Sequence, residues 1–126
     1  MFTDSIKVVN LKYTPYTLYI GRPNVWLNLD GSKWANPFHL KRESDRVEIL
    51  IKHWDYLLNN DDLINSLSEL ATQTLGCYCK PGKYCHGDNL KAAFQLIVVE
   101  GRSVEECKNI NIIEYVNAHI NLGYDE

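Results

Sequence analysis

Short apolar runs separated by polar and turn residues predict three short strands. A β-branched run at residues 6–11 and an apolar stretch at residues 17–20 are each typical of a short strand. A third strand is predicted over residues 74–80, where the turn residues Pro81 and Gly82 of the following loop end it. Because side chains alternate across a strand, Cys77 and Cys79 are expected on one face.

Apolar positions recur at helical spacing in the rest of the chain. The strongest helix is predicted to begin at Ser44 or Asp45 and to end near Leu58, with His53 half-buried beside its apolar face. That face is predicted to consist of Val47, Leu50, Ile51, Trp54 and Leu58. Further helices are predicted over residues 63–73, 88–98, 103–107 and 111–123, with caps at Asn59–Asp62, Ser103 and Asn111.

The order of these elements predicts the fold class. This order favours a small three-layer α/β domain, with a short, partly parallel sheet flanked by helices. It runs from two strands through a long loop to two helices, a third strand and further helices. The whole chain, residues 1–126, is interpreted as a single domain.

Candidate chemistry concentrates where the third strand leads into a helix. Cys85, His86 and Gly87 lie at the predicted helix start, and Asp88 is either its N-cap or a residue of its first turn. Free backbone N–H groups at a helix start attract anions, and the helix dipole acidifies a thiol placed there. The sequence therefore predicts a phosphate pocket, a reactive thiolate, or both.

The loop at residues 24–40 has no clear periodicity, which is unusual in a small domain unless the loop is functional. One hypothesis is that it is a ligand-binding loop. Its polar residues Lys33 and Asn36, together with Arg22 just before it, would then face a pocket. The alternative is an irregular loop held in place by two buried tryptophans, Trp26 and Trp34.

Composition narrows the class of protein. A formal net charge of −3 argues against a protein that coats bulk nucleic acid. No apolar run approaches the roughly 20 residues that span a bilayer, and the first ten residues do not resemble a secretory leader. A cytoplasmic protein with reduced thiols and no membrane association is therefore expected.

Two motifs resemble those of the DUF4326 family, whose short domains are common in phages, large DNA viruses and bacteria. CYCKPGKYCHGDNL resembles the family's cysteine-rich motif, and YIGRPNVWLN followed by GSKWANPF resembles its upstream motif. Ala35 stands where the family usually has Gly. The resemblance covers roughly residues 6–98. It implies a small α/β domain with a polar site built from both motifs, and it implies no particular activity.

Three interpretations of the cysteine and histidine cluster remain open. A structural zinc ion would use Cys77, Cys79, Cys85 and His86, but the C-x-C-x5-C-H spacing matches a tetrahedral site poorly, so no metal or other cofactor is predicted. Alternatively, Cys77 and Cys79 are simply small buried side chains in a binding or interaction module.

The leading interpretation is a pocket for a nucleotide or nucleotide-sugar. The predicted ligand-binding residues are Arg22, Lys33, Trp34, Asn36 and Gly87, and in an enzyme the catalytic residues would be Asp88, Cys85 and His86. Such an enzyme would catalyse glycosyl or phosphoryl transfer, or hydrolysis. A sequestration module without turnover would use the same pocket, so the sequence does not separate an enzyme from such a module. A homodimer is kept as an alternative to a monomer. The segments of Arg22 and Cys85 are expected to meet, because both follow strand ends.

Overall fold

Three short parallel strands form the sheet that positions the other elements. The structure, a computed structural model, describes residues 6–78 and 83–120. The strands are β1 (Lys7–Asn10), β2 (Leu18–Tyr19) and β3 (Thr74–Cys77), arranged in the order β1–β3–β2. Both pairs are parallel, and Val8 and Leu18 flank Leu75 in register. The carboxyl ends of all three strands therefore lie at one edge of the sheet.

Five α-helices of the described chain accompany this sheet, which confirms the small α/β domain. They are α1 (Arg46–Leu58), α2 (Asp61–Asn65), α3 (His86–Ala93), α4 (Val104–Lys108) and α5 (Ile112–His119). Short 3-10 turns lie at Val25–Leu27, Glu43–Asp45 and Leu67–Leu70, and a π-helical segment at Phe94–Val99 continues α3.

The predicted caps account for several helix starts. Asn60 accepts a hydrogen bond from the Leu63 N–H, and Asn111 accepts one from the Glu114 N–H. Ser103 and Glu106 form the predicted capping box, with reciprocal hydrogen bonds of 3.0 and 3.1 Å. The Gly123 predicted to end the last helix lies outside the described residues.

The helix predicted over residues 63–73 is shorter than expected. Regular α-helix ends at Asn65, and a 3-10 turn follows. The Ser66 hydroxyl donates to the Asp62 carbonyl at 2.8 Å, a local bond of the kind by which serine competes with continued helix.

The apolar face of α1 is rotated from the predicted one. Val47 and Ile51, which were expected to point inward, are 53% and 49% exposed, so that part of the prediction was wrong. His53 lies inside the buried face instead of beside it, because Asn89 of α3 supplies its ring with a hydrogen-bond partner.

The connection between β1 and β2 crosses the sheet. The two strands lie on opposite sides of β3, and the Tyr16 ring packs directly on Gly76, where a Cβ atom would lie 2.8 Å from the Tyr16 Cγ. On the opposite face α3 approaches closely at Gly87, where a Cβ atom would lie 2.8 Å from a methyl group of Val8. Two glycines thus allow one segment to pack closely on each face.

The long loop is only partly buried. Residues 24–40 contain a 3-10 turn and one isolated bridge, between Asn24 and Leu29. Trp34 is buried at 2% exposure, but Trp26 is 93% exposed, so the expectation of two buried tryptophans was wrong. Trp26 is exposed because the bridge closes the Val25–Leu27 turn on itself.

Candidate functional site

A cavity of about 270 Å³ lies at the carboxyl edge of the sheet. Its polar lining consists of Arg22, Asn24, Asn36, Arg46 and His86; its aromatic and apolar lining includes Tyr19, Phe38, Leu40, Ile49, Leu50 and Tyr78; and both Cys77 and Cys85 reach it. This is the position where open parallel sheets bind ligands. The cavity combines cations, amides and flat apolar surfaces.

Residues of both sequence motifs line this cavity. Arg22 and Asn36 come from the upstream motif, and Cys85 and His86 come from the start of α3. The two segments therefore meet at one edge of the sheet. The other four predicted site residues, Lys33, Trp34, Gly87 and Asp88, do not line the cavity.

Lys33 and Trp34 make their contacts outside the cavity. The Lys33 ammonium pairs with the Glu69 carboxylate at 2.8 Å and lies 5.4 Å from the centroid of the Trp34 ring. Trp34 belongs to the hydrophobic core. Their placement supports a structural role for both residues. The tight packing of Gly87 against Val8 supports a structural role for Gly87 as well.

Asp88 caps the helix that follows the third strand. Cys85 is the N-cap of α3, so Asp88 lies in the first turn and is fully buried. Its Oδ2 accepts the Cys85 N–H at 2.9 Å as one half of a capping box. The capping contact gives Asp88 a structural role, and Asp88 does not line the cavity.

Two arginines contribute positive charge. Arg22 is exposed, and its guanidinium pairs with no carboxylate in residues 6–78 and 83–120. Arg46, the first residue of α1, donates from Nη1 to the Tyr84 carbonyl at 2.8 Å and pairs with Glu43, whose pKa it lowers. Sequence reasoning missed Arg46 because it follows a helix cap and belongs to neither motif.

His86 ties the start of α3 to the end of β2. Its Nε2 lies 2.7 Å from the Ile20 carbonyl oxygen. A carbonyl only accepts, so Nε2 carries the proton and donates. This bond fixes the ring against the cavity wall, where it also meets the ring of His53 edge-on at 5.4 Å between centroids.

A buried hydrogen-bonded chain supports that wall from behind. The Tyr84 hydroxyl donates to the Asn89 side-chain oxygen, while the Asn89 amide donates to the Leu50 carbonyl and to Nδ1 of His53, each at 3.0 Å. Burial, helped by the nearby Asp88 carboxylate, raises the pKa of Tyr84 far above its usual value. Burial is also the main reason that the pKa of His53 lies well below its usual value, and His86 adds to the effect.

Tyr78 forms part of the aromatic surface. Its hydroxyl accepts a hydrogen bond from the Asn24 amide, and the Lys12 ammonium lies 5.7 Å from the ring centroid. Tyr19 also lines the cavity, and its hydroxyl donates a hydrogen bond to the Arg22 carbonyl. Burial raises the pKa of this hydroxyl. These bonds hold aromatic rings at the cavity beside the cations.

The cysteines separate into a pair and an isolated residue. Cys77 and Cys85 are both buried, with their sulfurs 3.5 Å apart. Cys107 is buried in α4, and burial raises the pKa of its thiol. Cys79 lies outside the described residues, so the four-residue zinc set stays a hypothesis. Among the residues that are described, no three His, Cys, Asp or Glu side chains are grouped to hold a metal ion.

Over the same described ranges, no helix combines the length and apolar character needed to cross a membrane.

Comparisons with known proteins place the chain in a family. The family described as "Domain of unknown function (DUF4326)" matches residues 6–96, a range that includes every residue of the cavity. The chain is also similar to "Uncharacterized protein R718" of Acanthamoeba polyphaga mimivirus, with 36% identity over 90 residues, covering 64% of this chain and 68% of that protein. No solved structure matches the chain significantly. Because the family match covers most of its length, the chain belongs to the DUF4326 family.

Proposed function

We propose that this domain binds a small phosphate-bearing ligand of the nucleotide or nucleotide-sugar class. The observation that carries the proposal is the composition of the cavity. Arg22 and Arg46 supply positive charge, Asn36 supplies an amide, and Tyr78 and Phe38 supply flat apolar surface in the same space. A nucleotide needs both, because its phosphate is anionic and its base is planar.

The polar lining is well arranged for an anion. Arg22 has a guanidinium available for a bidentate contact with phosphate oxygens. The Asn36 side-chain oxygen already accepts the Phe38 N–H at 2.9 Å, so its amide nitrogen is left as the donor. These groups offer donors rather than acceptors, which favours an anionic ligand over a cationic one.

The size of the cavity favours a small member of this class. Its volume of about 270 Å³ lies just below the common range for ligand sites, about 300–1,000 Å³. A mononucleotide therefore suits it better than a dinucleotide. Bulk nucleic acid is disfavoured as a partner, since the cavity is local and the net charge is −3.

Binding without turnover is favoured over catalysis. Asp88 is buried under the helix start, and the remaining candidates for a reacting group are Cys85 and the Nδ1 atom of His86. A sequestration module needs only the cations and the aromatic surface. A cytoplasmic location, where nucleotides are abundant and thiols are reduced, suits this proposal.

Calorimetric titration of the purified protein with nucleoside mono-, di- and triphosphates and nucleotide-sugars tests the proposal. Arg22→Lys should weaken binding by about tenfold, because lysine cannot form the bidentate contact. Arg42→Lys is the matched control, since Arg42 is exposed, pairs with Asp45 and does not line the cavity.

Chromatography of the titrated mixtures would detect turnover. Failure of every ligand in the panel to bind, or equal binding by the Arg22 variant and the wild type, would overturn the proposal.

A further inference from the structure

Cys77 and Cys85 form a dithiol in the wall of the cavity. Cys77 is the last residue of β3, and Cys85 is the N-cap of α3. Their sulfurs are 3.5 Å apart, and both residues line the cavity although each is almost fully buried. The fold therefore brings the end of a strand and the start of a helix together through two sulfur atoms.

The separation of the sulfurs is close to what a disulfide requires. A disulfide bond is about 2.05 Å long, so the two atoms need to approach by roughly 1.5 Å. Cys85 lies outside the sheet at the start of α3, so a rotation about its side-chain torsion is the movement that would bring its sulfur toward that of Cys77.

We propose that Cys77 and Cys85 are a redox modification site that forms a reversible disulfide with a peroxide as oxidant. The Cys85 sulfur is the first to react, because Cys85 is the N-cap of α3, a position where the helix dipole stabilises a thiolate. Both cysteines line the cavity, which is the route by which a small oxidant would reach the pair.

The reaction balances with hydrogen peroxide. The Cys85 thiol first loses its proton, and the resulting thiolate attacks one peroxide oxygen. The O–O bond breaks, and the departing hydroxide takes up the released proton to give water and a sulfenic acid. The Cys77 sulfur then attacks the Cys85 sulfur, the S–O bond breaks, and a second water leaves. Two thiols and one peroxide thus give one disulfide and two waters, and an added dithiol reverses the change by exchange.

The decisive experiment uses the Cys79→Ser/Cys107→Ser variant, which keeps only the proposed pair. The reduced protein is treated with hydrogen peroxide, and its thiols are then counted with Ellman's reagent under denaturing conditions. Both thiols should disappear without a disulfide link between chains, and dithiothreitol should restore both. The Cys77→Ser/Cys79→Ser variant is the matched control, because it removes Cys77 and retains Cys85 with only Cys107 of α4; it should form no intramolecular disulfide.

Peptide mapping of the oxidised wild type provides a second readout that does not depend on the folding of a variant. Cleavage after Tyr78 separates Cys77 from Cys79, and a peptide containing Cys77 should be linked to the one containing Cys85. A Cys79–Cys85 link in the wild type, or two remaining thiols in the oxidised pair variant, would overturn the inference.

Discussion

At the scale of single residues, burial separates two tryptophans of one loop that the sequence treats alike. Trp34 is 2% exposed in the core, and Trp26 is 93% exposed on a 3-10 turn. Trp34→Ala should lower the free energy of unfolding by about 3–5 kcal/mol, since it removes a large buried ring. Trp26→Ala is the control and should change it by less than about 0.5 kcal/mol. Urea denaturation measures both, and equal effects would contradict the placement of the two rings.

Asp88, a predicted catalytic residue, lies buried in the first turn of α3, where its carboxylate caps the helix. Asp88→Ala removes the acceptor of the buried Cys85 N–H and should lower the free energy of unfolding by about 1–3 kcal/mol. Asp88→Asn keeps an acceptor oxygen and should retain most of that stability. Thermal and urea denaturation of the two variants check this. An Ala variant as stable as the wild type would show that the capping box contributes nothing, and loss of ligand turnover in a stable Asn variant would restore the catalytic hypothesis.

At the scale of elements, the sequence predicted what is locally encoded and missed what depends on packing between distant segments. The strands, the α1 boundaries and the Ser103 capping box follow from propensity, turn residues and cap chemistry within a few positions. The inward turn of His53 depends instead on a hydrogen bond from α3, and the crossing of β3 by the β1–β2 connection depends on Tyr16 meeting Gly76. Neither contact leaves a periodic signal in the sequence.

The crossing connection can be tested with a double-mutant cycle. Gly76→Ala would place a methyl group against the Tyr16 ring and should cost about 1–3 kcal/mol of unfolding free energy. In a Tyr16→Ala background the same substitution should cost less, because the ring it meets is gone. Urea denaturation of the four proteins gives the coupling energy. An equal cost of Gly76→Ala in both backgrounds would contradict the packing of Tyr16 on this strand.

At the scale of the whole molecule, the sheet edge explains why half of the predicted site residues line one cavity. Arg22, Asn36, Cys85 and His86 follow strand ends or the loop beside them, and a parallel sheet gathers such positions at one edge. Lys33 was predicted to bind the ligand for its charge alone. Its ion pair with Glu69 could not be predicted, because Glu69 is distant in sequence. Arg46 was missed for the converse reason, since its role depends on how α1 packs beside the site.

The same packing makes stability depend on pH through one buried group. The His53 side chain of α1 is buried against α3, where its Nδ1 accepts a hydrogen bond from the Asn89 amide. The neighbouring His86 ring adds to the cost of a positive charge there. Its pKa in the folded protein is therefore well below that of the unfolded chain, about 6.5. Below that pH the unfolded state binds the extra proton, so the free energy of unfolding should fall by up to about 1.4 kcal/mol per pH unit.

Urea denaturation between about pH 7.5 and about pH 5.5 measures this loss, in a window where an ordinary histidine titrates. His53→Gln removes the titrating group and should flatten the dependence, whatever its effect on stability at the higher pH. His119→Gln is the matched control, because His119 is exposed at the end of α5, and it should keep the slope of the wild type. Equal slopes for the wild type and His53→Gln would mean that His53 accepts a proton in the folded protein as readily as in the unfolded chain, which its burial against Asn89 argues against.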